Sequence, residues 1–100
     1  MYTYTTPAIT CTLEGVDFTN VDYVRVAVKG ARCQVLKQVP IENIDTEEGI
    51  LVIGLTQEET AALGKGQVTI QARLHYSNGT VQATDKVIRQ MDDVLDKVVL

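Results

Sequence analysis

The chain contains no tryptophan, one phenylalanine and one histidine. Without large aromatics, the core must be built from Val, Ile, Leu and Ala. The lone histidine, His75, has no second His or Cys at ligand spacing, which excludes an ordinary zinc site. It sits beside Tyr76 on the polar phase of an alternating stretch and reads as a surface residue. Cysteine is also scarce. Cys11 and Cys33 stand apart, with no C-x-x-C pattern, and read as free, buried thiols of a reducing compartment. Clustered positive charge is missing. Net charge is −4 and Lys and Arg are scattered singly, so the footprint that nucleic acid binding requires is not visible. No apolar run approaches the roughly 20 residues needed to cross a bilayer. Met1 to Pro7 lacks a charged start and an apolar stretch. It is no signal peptide, and the expected location is the cytoplasm.

Catalytic constellations are equally sparse. Two acidic groups stand out: Asp45, Glu47 and Glu48, then Asp92, Asp93 and Asp96. Neither has the D-x-D-x-D-G spacing of a calcium loop, and both read as solvated faces. Gly64-Lys65-Gly66 lacks the frame of a phosphate loop. No serine motif supplies His75 with a nucleophile. The expectation is a non-enzymatic protein, with no catalytic residue, metal or cofactor.

What is present is β patterning on an ordinary globular composition, 45% apolar and 22% charged. The length fits one domain, 1–100. The clearest signals lie between Leu55 and Asp85. Thr56 and Glu59 have capping-box spacing, which predicts a helix of about two turns, stopped at Gly64 or Gly66, with Leu63 and Ala62 buried. Val68, Ile70, Ala72 and Leu74 alternate with Thr69, Gln71, Arg73 and His75, a half-buried strand. Asn78-Gly79 predicts a two-residue type I′ turn, returning Thr80 to Thr84 with Val81 and Ala83 on the face of Leu74 and Ala72.

Elsewhere the pattern predicts strands at 8–14, 21–29, Arg32–Val39 and Ile50–Leu55. Val24, Val26 and Val28 form one face of the second; Tyr23, Arg25, Ala27 and Lys29 form the other. An irregularity is expected at Leu36, and Pro40 should end that strand. Phe18 reads as a core plug in a loop. After Asp85 two readings stand: a helical stripe through Val87, Ile88, Met91, Val94 and Leu95, or a bulged strand. Tyr2 and Tyr4 alternate on a predicted edge strand and, with Val98, Val99 and Leu100, are the candidate partner-binding residues. Residues 92–100 then form a docking tail. About seven short strands joined by hairpins predict an all-β, immunoglobulin-like antiparallel β-sandwich with one short helical turn.

Several motifs carry a resemblance: Leu55 to Thr60, Gly66 to Arg73, Asn78 to Asp85 and Val94 to Val98. They resemble small proteins from phages and prophages of Gram-positive bacteria. They are similar too to the N-terminal β-sandwich of phage baseplate upper proteins, which attaches a receptor-binding tip to the tail. This chain ends at Leu100, without the helical or fibre region of those proteins. The resemblance implies a virion structural protein, tail- or baseplate-associated, held in the bacterial cytoplasm before assembly and in the virion afterwards. Its implied partners are other phage structural proteins or further copies of itself, not nucleic acid or membrane. The alternative expectation is a small carbohydrate- or peptide-binding module.

Overall fold

The computed structural model describes residues 1–100. In chain order they form β1 (Ala8–Thr12), a 3-10 turn (Phe18–Asn20), β2 (Val21–Lys29), β3 (Gln34–Pro40), a second 3-10 turn (Ile41–Asn43) and β4 (Ile50–Gly54). Then follow α1 (Gln57–Leu63), β5 (Gly66–Tyr76), β6 (Val81–Ala83) and β7 (Val87–Met91). The fold is β-rich, with two antiparallel sheets. One is the pair β1-β4. The other has the order β3-β2-β5, with β6 and β7 sharing the far edge of β5.

The core follows from the period-two patterns. Val24, Val26 and Val28 of β2 lie beside Leu74, Ala72 and Ile70 of β5 in register, and all are buried. Val35 and Val39 of β3 extend this inner face. Leu51 and Ile53 of β4, with Leu13 and Leu55, join the same buried cluster from the small sheet. Phe18 packs half-buried against it, as a plug should. The capping box at α1 is complete: Thr56 Oγ1 accepts from the Glu59 N–H at 3.1 Å, and Glu59 accepts from the Thr56 N–H at 2.9 Å.

The β5–β6 hairpin departs from its prediction by one residue. Of the two loop residues expected at positive φ, only Gly79 has it, at 88°. The Gly79 N–H donates to the Tyr76 carbonyl and the Tyr76 N–H to the Thr80 carbonyl. The loop is therefore the three residues 77–79, a turn closed by one left-handed glycine. The Asn78 carboxamide caps the Thr80 N–H at 2.9 Å instead of entering the left-handed region. One added loop residue inverts every face beyond it. Val81 pairs with His75 and Ala83 with Arg73, so both lie on the outer face rather than with Leu74 and Ala72.

Three smaller expectations are also corrected, and one open choice is settled. The β2–β3 register runs unbroken from Tyr23↔Pro40 to Lys29↔Gln34, so Leu36 is a regular outward residue and not an irregularity. Within α1, Ala62 is exposed and Thr60 is buried with Leu63. Cys11 and Cys33 are free but half-buried rather than fully buried. Of the two readings that stood after Asp85, residues 87–91 take the strand: they form β7, because a break at Thr84–Lys86 restores pairing with β5.

Candidate functional site

The sequence-predicted partner residues meet at one end of the molecule, around α1. Tyr2 and Tyr4 do not alternate on an edge strand. Tyr2 makes a single bridge to Asp92, and the chain then turns, with Tyr4 at φ 57°. Two buried threonines fix this path. Thr60 Oγ1 of α1 accepts from the Thr5 N–H at 3.2 Å and donates to the Thr5 carbonyl at 3.0 Å. Thr3 Oγ1 donates to Asp93 Oδ1 and accepts from the Val94 N–H, which ties the first residues to the segment after β7. The Lys97 ammonium, with help from Thr3, holds the Asp93 carboxyl below the usual carboxylate range. Segment 92–100 then returns to α1, where the Gln57 side chain brackets the Leu100 backbone with bonds of 3.1 and 2.8 Å.

This path leaves apolar side chains outside. Ten large apolar residues are exposed in the whole molecule, and five of them, Tyr2, Leu95, Val98, Val99 and Leu100, lie on these two segments. Leu95 and Leu100 are essentially bare. Polar backbone bonds hold the segment, while its apolar groups gain little from the contact. The candidate residues Tyr2, Val98, Val99 and Leu100 therefore share one apolar end, and Tyr4 is half-buried at its margin.

A second feature is a groove of about 1120 Å³. β1 pairs with β4 alone, so its other edge is open. The groove runs between that edge and the inner face of β5, β6 and β7, floored by Ile70, Ala72 and Leu74 and walled by Ile9 and Cys11. It lies on the opposite face of the sheet from His75, the only histidine. Burial pushes the Cys11 thiol up, so it stays protonated and unreactive near neutrality.

The acidic groups have structural duties. Asp45 Oδ1 accepts from the N–H groups of Glu47 and Glu48, which shapes the loop before β4. No group of three or more His, Cys, Asp or Glu side chains is placed to hold a metal ion. No helix is long and apolar enough to cross a membrane. Sequence patterning missed the part played by Thr3 and Thr60, because their partners Asp93, Val94 and Thr5 are distant in the chain or outside any regular element.

Comparison with protein-family models, with curated proteins and with solved structures gives no match.

Proposed function

We propose that this protein is a non-enzymatic structural component of a phage or prophage particle, associated with the tail or baseplate, that assembles through the α1 end. The observation that carries the assembly surface is the gathering of Tyr2, Leu95, Val98, Val99 and Leu100, exposed, on two segments fastened to one helix. Exposed apolar residues grouped in this way mark association surfaces more often than accident. The phage setting is supported by the motif resemblance in Leu55–Thr60, Gly66–Arg73 and Asn78–Asp85. An immunoglobulin-like sandwich is the finer reading of the fold. In that domain a C′-C-F-G sheet faces strands B and E, and β3-β2-β5-β6 over β1-β4 follows the same order, with α1 as the connection between E and F. Deleting Val98–Leu100 should abolish self-association or partner binding while leaving the fold intact. Unchanged assembly would count against the proposal.

The groove favours a second reading, a carbohydrate- or peptide-binding module, because an open strand edge beside an apolar floor suits an extended ligand. A saturable rise in melting temperature against a panel of glycans or peptides would support that reading over the first.

A further inference from the structure

The register gathers positive charge that looks scattered in the sequence. Arg25 of β2 and Arg73 of β5 are direct cross-strand partners on the outer face of the large sheet. Like charges at such a position repel. Neither guanidinium lies within 4.0 Å of a carboxylate, and neither makes a hydrogen bond within the chain; the lysine ion pairs, Lys37–Glu59 and Lys97–Asp93, are elsewhere, and Asp22 sits beside His75. Lys29 lies further along the same face of β2. The next pair along the two strands is Tyr23 and His75, whose rings stack at 4.8 Å and 3°. With Val81 of β6 these side chains line a hollow of about 70 Å³. The His75 Nδ1 is buried, 3.3 Å from Asp22 Oδ2, yet without hydrogen-bond geometry toward it. Here a chain of net charge −4 keeps two unpaired guanidiniums side by side, next to a flat aromatic wall and an apolar edge.

We propose that this outer face is a docking site for an acidic segment of a partner protein, with one carboxylate seated between Arg25 and Arg73. Charge complementarity selects the occupant. Guanidinium forks match a carboxylate in two parallel hydrogen bonds, and an anion between them converts repulsion into attraction. The stacked Tyr23–His75 pair and Val81 then pack against the aliphatic part of the acidic side chain. The site lies on a sheet face, apart from the α1 end, and does not depend on the assembly proposed there.

The test is a titration of the full chain with a ten-residue poly-glutamate peptide, followed by backbone amide shifts at low ionic strength. Saturable shifts confined to Tyr23, Arg25, Arg73, His75 and Val81 are expected, since general electrostatics would repel the peptide. The double variant Arg25→Gln/Arg73→Gln should weaken binding at least tenfold, while Lys65→Gln, a surface cation outside this face, should not change it. Absence of saturable shifts, shifts centred elsewhere, or equal weakening by Lys65→Gln would overturn the site. Tighter binding of a ten-nucleotide single-stranded DNA than of poly-glutamate would overturn the protein partner in favour of a polyphosphate one.

Discussion

At the scale of single residues, two small polar contacts fasten α1, one to the first residues and one to β3. Thr60 is fully buried and bonds both the N–H and the carbonyl of Thr5. Thr60→Val keeps the shape but strands that N–H, so it should cost about 1–3 kcal/mol. Urea unfolding would measure the loss, and amide exchange of residues 2–5 should quicken. The second contact is Lys37 to Glu59, 2.8 Å apart. The Lys37 ammonium, and then the Thr56 N–H, hold the Glu59 carboxyl below the ordinary glutamate range. A lowered folded-state pKa contributes stability above the unfolded value and loses it as pH falls through the folded one. Stability should therefore drop from below about pH 4.5. Lys37→Met should flatten that acid limb by about 1 kcal/mol or less, since the pair is partly solvated. Thermal melts from pH 6 down to pH 3 would show the difference, and identical limbs would deny the pair any role.

At the scale of elements, the inverted hairpin face gives the sharpest contrast. Val81 faces outward beside His75, so Val81→Ser should change stability by less than about 0.5 kcal/mol. Leu74→Ala on the buried face should cost about 2–5 kcal/mol. A large loss at Val81 would mean that the two-residue turn is the true one. This hairpin also shows what the sequence could disclose. The strands were legible because Val24, Val26, Val28 and Val68 to Leu74 repeat with period two and because one face of each is buried. β2 appears with the bounds its pattern predicts, Val21–Lys29. The capping box at Thr56 and Glu59 was legible because it is purely local. Loop length was not: Asn78-Gly79 suits a two-residue turn, and only the carboxamide bond to Thr80 selects the longer one. Nor could β7 be separated from a helix, because Val87, Ile88 and Met91 fit both periods until pairing with β5 decides. The cross-strand meeting of Arg25 and Arg73 is a property of register, which single-strand alternation does not contain. Only their shared outward phase hinted at it.

For the whole molecule, the surfaces divide by direction. The α1 end is apolar, one sheet face carries unpaired arginines, and the open edge of β1 leaves a groove between the sheets. The molecule spans 46 × 22 × 19 Å, so a contact at the α1 end leaves the opposite end and the outer sheet face free for other partners. Such a layout suits a component that is held at one end and engages something else along its side. The outer-face proposal and the α1-end proposal are thus independent, and an arginine variant should leave self-association unaltered.

The apolar α1 end is proposed to build an assembly. Light scattering after size exclusion, at several concentrations, tests it on the full chain and on the chain lacking Val98–Leu100. A defined closed oligomer is expected for the full chain. The shortened chain should be a folded monomer, its melting temperature lower than the full chain's only by what assembly contributed, because within the chain only the two exposed bonds from Gln57 are lost. A full chain that stays monomeric at every concentration, or a shortened chain of the same oligomeric mass, would contradict it.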